Sequence, residues 1–202
     1  MRFVIAMAHG PTKIPKKKVR IDSGDFLIRT LVPEDASDRW AAWMADPEVQ
    51  YALNAPPRNI TRVEIEKYIK RFDQRSNLLW GIFDKRTGAH IGFFTVHADY
   101  ALSRGIVNLL IGEAEYRKHG VLSTIRKQFA EYFFETLGLQ TMIASALARN
   151  EIIVNTLKKA GWKVDKLLSE HTVDHADQAK LDLYLLSLSR ENWRMRNRPD
   201  QA

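Results

Sequence analysis

The chain has no cysteine among its 202 residues. Disulfides, thiolate metal sites and cysteine nucleophiles are thereby excluded, and a reducing cytoplasm is compatible with the composition. No apolar run approaches the roughly 20 residues of a membrane span, so no membrane partner is expected. The N-terminal Arg2-Phe3-Val4-Ile5-Ala6-Met7-Ala8 has an apolar core shorter than the roughly 7–15 residues of an export signal, which favours a cytoplasmic chain. Internal repeats and low-complexity segments are missing as well. The net charge is +7, yet the body of the chain has no basic excess. Residues 1–20 carry six basic residues and no acid, residues 190–202 carry four arginines against Glu191 and Asp200, and the 21 basic and 22 acidic residues between them nearly cancel. This distribution argues against a nucleic-acid groove in the body and confines any polyanion contact, such as ribosomal RNA, to the tails.

With 45% hydrophobic residues the chain is long enough for one good core and short for two domains. The expected organisation is a basic segment and linker over 1–20, one domain over 21–189 and a basic tail over 190–202. Phe26 to Leu31 reads as a strand, and Pro33-Glu34-Asp35 opens a helix carrying Trp40, Trp43 and Met44. Asp46-Pro47 to Asn59 reads as a loop that shapes a pocket. Thr61 and Glu64 have the spacing of a capping box for a helix through Phe72. Leu78–Phe83 and His90–Val96 alternate around Lys85-Arg86-Thr87-Gly88, a hairpin signature. Two further strands are expected near Trp162–Leu168 and Leu181–Leu188, joined by a polar loop that carries His171, Asp174, His175 and Asp177. These last four are metal-ligand residue types, but in such a loop solvation explains them better, and no metal is expected.

The most informative stretch lies between. Ile106–Ile111 is an apolar strand, Tyr116 to Ser123 turns the chain at Gly120, and Val121, Ile125, Phe129, Tyr132, Phe133 and Leu137 recur at helical spacing up to a glycine cap at Gly138. A helix N-terminus behind a glycine turn offers unpaired N–H groups and the positive end of the helix dipole, the features a pyrophosphate needs. A second strand, Gln140–Leu147, leads to Ala148-Arg149-Asn150 and a short helix, Glu151–Ala160, closed by Gly161-Trp162.

This order resembles the GNAT superfamily of acetyl-CoA-dependent N-acetyltransferases. The family's pyrophosphate loop, Arg/Gln-x-x-Gly-x-Gly/Ala, is matched by Arg117-x-x-Gly120-x-Leu122, with Leu122 where the family has a small residue and Lys118 where many members have a first glycine. Asn150 and Lys159-Ala160-Gly161-Trp162 match the later signature. Upstream, Trp43 to Val49, Thr61-x-x-Glu64 with Tyr68-Ile69, and His90-Ile91-Gly92 look like the branch with Rim-type ribosomal-protein N-terminal and amino-sugar acetyltransferases.

The resemblance implies an α/β (α+β) GNAT fold, a mixed and mostly antiparallel twisted sheet splayed at the coenzyme site. It also implies acetyl transfer from acetyl-CoA, the co-substrate, to a primary amine on an amino sugar, a sugar nucleotide or a peptide N-terminus. Coenzyme contacts are expected from Ile111, Gly112, Glu113, Arg117, Lys118, His119, Gly120, Val121, Leu122, Ser123 and Asn150, with the N–H groups around Ile111, Gly112 and Glu113 as cradle for the carbonyl oxygen. Glu113 is the first candidate general base and His97 the second. Leu157 occupies the position where many members carry a thiolate-protonating tyrosine. A homodimer stays open. So do two other classes: a coenzyme-binding scaffold without turnover, suggested by Lys118, Leu122 and Leu157, and a ribosome- or RNA-associated factor using the tails.

Overall fold

The computed structural model describes residue 16, residues 18–117 and residues 119–197. Its eight strands are β1 (Arg20–Ser23), β2 (Phe26–Thr30), β3 (Asn77–Asp84), β4 (His90–Asp99), β5 (Arg104–Ile111), β6 (Thr141–Leu147), β7 (Lys163–Val173) and β8 (Lys180–Ser189). Its helices are α1 (Asp38–Ala45), α2 (Pro47–Leu53), α3 (Arg62–Lys70), α4 (Val121–Glu131), α5 (Glu151–Lys159) and α6 (Arg190–Arg196). The strands form one sheet in the order β1-β2-β3-β4-β5-β6-β8-β7. Every neighbouring pair is antiparallel except β5 and β6.

β3 shows why the sheet is a central layer. Leu78 to Asp84 are all buried, and the strand's alternation sends Leu78, Trp80 and Ile82 into one core and Leu79 and Phe83 into another. The first core lies under α4, with Ile125, Phe129 and Phe133; the second lies under α1 and α3, with Trp40, Trp43, Ile65 and Ile69. A third cluster, Ala146, Val154 and Leu186, seats α5. The helices therefore cover both faces.

Several expectations are corrected. Asp46–Asn59 is not one loop: the Asp46 carboxylate accepts the Glu48 N–H at 2.8 Å, Pro47 supplies the first helical residue and Asn54 closes α2 in the left-handed region. Pro33–Asp35 is a separate 3-10 turn, and α1 starts behind Ser37, which accepts from the Trp40 N–H. Arg20–Ser23 is a strand paired to β2. β7 runs on to Val173 and includes His171. The segment from Arg190 to Arg196, placed in the basic tail, is a helix. The Thr61–Glu64 capping box is present, and Gly138 ends the α4 segment at φ +74° after a π-helical turn over Tyr132–Thr136.

The parallel contact decides where a ligand can sit. β5 and β6 pair only at Arg104–Thr141, Gly105–Met142 and Ile106–Ile143, while β5 continues to Ile111 and β6 to Leu147. Beyond Ile106 and Ile143 the sheet forks.

Candidate active site

The fork opens into a cavity of about 640 Å³ that passes through the sheet. On one side it is bounded by Leu122 and Arg126 of α4 and by Asn150, Ile153 and Leu157 of α5; on the other by Glu48, Leu53 and Asn54 around α2, and by His171, Thr172 and His175 near the β7–β8 turn.

The β4–β5 register fixes which backbone groups face it. The Gly112 N–H bonds the Ile91 carbonyl at 2.9 Å, which makes the Ile111–Gly92 pair a non-hydrogen-bonded one. By the same alternation the N–H groups of Leu109 and Ile111 point away from β4, into the fork. This corrects the expected cradle. Gly112 and Glu113 both donate to Ile91, two N–H groups on one carbonyl as at a bulge, so neither is free for a ligand. Gly112 is a glycine for a further reason: a Cβ there would run into the Trp43 indole.

At the α4 end, Gly120 caps the helix at φ +68° with no side-chain cap, and the first helical hydrogen bond is Thr124 to Gly120 at 3.0 Å. The N–H groups of Val121, Leu122 and Ser123 thus precede the first intrahelical bond and face outward at the positive end of the dipole. A Cβ at Gly120 would meet nothing within 4 Å. The left-handed backbone, not crowding in the protein, is what calls for glycine here.

The other expected residues divide. Ile111, Arg117, Leu122 and Asn150 line the cavity. Asn150 also caps α5 through the Ile153 N–H. Val121 is buried in the core under α4, Ser123 and His119 are exposed, and Lys118 lies outside the described residues. Arg117 is engaged elsewhere: it donates to Asp46 at 2.5 Å, to Glu48 at 2.9 Å and to the carbonyls of Gly112 (2.6 Å) and Ile111 (3.3 Å). The guanidinium holds the Asp46 carboxyl below its usual range, chiefly through that hydrogen bond. Neither candidate base lines the cavity. Glu113 accepts the Trp43 indole N–H at 2.7 Å and lies 3.6 Å from Arg39, and the exposed His97 contacts Asn77 at 2.6 Å.

The segment expected to shape a pocket and the polar cluster before the last strand take forms that the sequence did not specify. α2 spans the mouth: Arg117 holds its N-terminus, and at the other end Arg149 pairs with Asp174, donates to the Tyr51 carbonyl at 2.7 Å and lies 4.0 Å over the Tyr51 ring. Asn54 completes the clasp, donating to the Val173 carbonyl at 2.9 Å and accepting the His175 N–H at 3.1 Å. His171 reaches the cavity because β7 is longer than its sequence suggested, and His175 follows in the turn, its N–H held by Asn54. The only sequence signal was the density of polar residues between the last two strands. Among the described residues, no group of three or more His, Asp or Glu side chains converges on a possible metal position.

Residues 25–163 match the sequence profile of the Acetyltransf_3 family, described as Acetyltransferase (GNAT) domain. The chain belongs to the GNAT acetyltransferase family. Solved GNAT structures share the fold. A spermidine N-acetyltransferase from Vibrio cholerae, in complex with CoA and spermine, superimposes with a TM-score of 0.74 at 15% identity, over 84% of this chain and 98% of that one. A ribosomal-protein-S5-alanine acetyltransferase from Vibrio fischeri gives 0.73 at 17%, over 87% and 98%. An acetyltransferase of the GNAT family from Bacillus anthracis gives 0.71 at 15%, over 86% and 99%. No curated protein matches the chain. Among the described residues, no helix is long and apolar enough to cross a membrane.

Proposed function

We propose that this GNAT chain moves an acetyl group from acetyl-CoA to a primary amine by direct attack in a ternary complex. The observation that carries this is one cavity through a forked sheet, with unpaired helix N–H groups at one end and a mouth of mixed polar and apolar residues, Glu48, His171 and His175 among them, at the other. The pyrophosphate goes to the first turn of α4, the pantetheine arm runs between β5 and β6 past Asn150, and the thioester carbonyl lies against the N–H groups of Leu109 and Ile111. The amine enters beneath α2. Its nitrogen attacks the carbonyl carbon, the carbon–sulfur bond breaks, and CoA leaves as the thiol with a proton that the amine gave up.

A base must accept that proton or keep the amine neutral beforehand. With Glu113 and His97 off the cavity and Glu48 paired to Arg117, His171 and His175 are the cavity side chains suited to it. Leu157 lines the cavity without a donor, which leaves the thiolate to be protonated by water or by the amine's own proton. The mouth also bears on the acceptor. Glu48 is the one carboxylate among the described lining residues, so a single amine on an uncharged body, such as a peptide N-terminus, fits better than a polycation. The two solved relatives, a spermidine and a ribosomal-protein-S5-alanine acetyltransferase, mark the two arms of the test.

Acetyl-CoA at a hundredfold excess over its dissociation constant should stabilise the protein by about 2.7 kcal/mol. Turnover should then appear with monoamine peptides and exceed that with spermidine. No thermal shift at millimolar acetyl-CoA overturns the coenzyme site; a shift without turnover over a broad amine panel favours a binding protein instead.

A further inference from the structure

The cavity continues past the fork. Its lining runs beyond the last paired residues of β5 and β6 onto the closed part of the sheet, where Met142 pairs with Gly105 on one side and with Leu188 on the other. The character of the walls changes with it. At the mouth they are a mixture of polar and apolar groups. In this inner arm they are Phe129 and Ala130 of α4, Met142 and Leu188 of the sheet, Ala160 behind α5 and Trp193 of α6, apolar except at the far end, where the Trp193 indole N–H is buried without a partner and Asn197 also lines the wall.

Distance and direction both matter here. A thioester carbonyl held by the Leu109 and Ile111 N–H groups lies above the fork, whereas Gly105 lies four residues back along β5, about 13 Å at the rise of a strand. The coenzyme arrives from the opposite end, at the α4 N-terminus, so its pantetheine does not fill the inner arm. An acetyl methyl reaches only the top. Empty apolar space of this depth favours a hydrocarbon chain attached to the carbonyl.

We propose that the inner arm is an acyl-chain pocket and that the protein takes straight-chain acyl-CoA donors several carbons longer than acetyl. This rests on the coenzyme position proposed above. The transfer balances as for acetyl: the amine nitrogen bonds to the acyl carbon, the carbon–sulfur bond breaks, and CoA leaves as a thiol carrying the proton lost by the amine. Only the hydrocarbon on the carbonyl changes. α6 bears on the limit of chain length, because Trp193 and Asn197 line the far end.

The test is calorimetric titration of the full chain with CoA and with its acetyl, butyryl, hexanoyl and octanoyl thioesters. Affinity should rise by about fourfold for each added methylene until the arm is full. Ala130→Phe should leave acetyl-CoA binding unchanged and bring hexanoyl-CoA back to the acetyl value. Should Ala130→Phe fail to fold, Ala160→Leu, at a half-buried position, makes the same comparison. Affinity that stays level or falls beyond acetyl in the unaltered protein overturns the pocket while leaving the coenzyme site standing. Equal loss of acetyl- and hexanoyl-CoA binding in a folded variant overturns the pocket's location. If CoA itself does not bind, the coenzyme site fails and the acyl pocket falls with it.

Discussion

An imidazole buried with neither nitrogen bonded has to be neutral for the chain to fold. His90 is in that position, 9% exposed, stacked on Phe83 at 4.8 Å and edge-on to Trp40 at 5.3 Å and Trp43 at 5.0 Å. Burial pushes its pKa down from 6.5 to about 4. The unfolded chain therefore binds this proton at a higher pH than the folded one. Stability should be full above pH 6.5 and fall by about 3 kcal/mol as the pH drops towards 4. Urea unfolding across that range checks it, and His90→Phe should flatten the decline; an equal decline in that variant assigns the pH dependence to carboxylates elsewhere. A second residue-scale prediction separates the candidate bases. Glu113→Gln keeps an oxygen for the Trp43 N–H and loses only the partly exposed Arg39 contact, worth little. It should stay within about threefold of wild-type turnover, whereas His171→Ala or His175→Ala should lower turnover by roughly 10²–10⁴-fold if that histidine is the base. A collapse in Glu113→Gln, with both histidine variants active, would reverse the assignment.

Helix α2 shows how much an element depends on contacts that no local pattern records. Asp46-Pro47 is a good N-cap and first-residue pair, but two nearby prolines, Pro56 and Pro57, and only seven helical residues make the segment read as loop. What fixes it over the cavity is distant in sequence: Arg117 on one side and Arg149 on the other. The α4 and α5 segments were legible because each has an apolar face long enough for its 3.6-residue period to show. The fork was expected only through the family resemblance, since nothing in β5 or β6 themselves says that only three residues of each pair with the other. Arg117→Met removes the bonds that seat α2, leaving Asp46 and two carbonyls without their partner. We expect a loss of about 2 kcal/mol in global stability. Hydrogen exchange should accelerate in α2 before it does in β3. Equal acceleration in both would show that Arg117 supports the whole domain and not this helix.

At the scale of the molecule, composition counts the charge but cannot say which basic residues are structural. Arg190 and Arg194 were counted with a tail, yet both pair with Glu135. The Glu135 carboxyl is held below its usual range, first by its hydrogen bond with Arg190. Trp193 packs on Phe134 at 5.4 Å, and Arg196 donates to the Lys159 carbonyl at 3.1 Å, tying the ends of α4 and α5 together across the base of the cavity. Basic residues beyond the last strand give no sign of this, because the acid and the aromatic ring that they meet lie some 55 positions away in sequence. Truncation after Ser189 removes the tryptophan contact, a cost of about 2–3 kcal/mol by analogy with other buried aromatic packing. For a chain of this length that corresponds to a fall in melting temperature of about 5–10 °C. Removing residues 1–15, which the sequence pattern assigns to a basic segment and linker, should leave the melting temperature within about 2 °C, the size of a change worth well under 1 kcal/mol. Differential scanning calorimetry of the two truncations decides between them. A C-terminal truncation that melts like the intact chain would show that α6 adds nothing to the fold, and the closed end of the cavity would then have to be explained by the other residues around it.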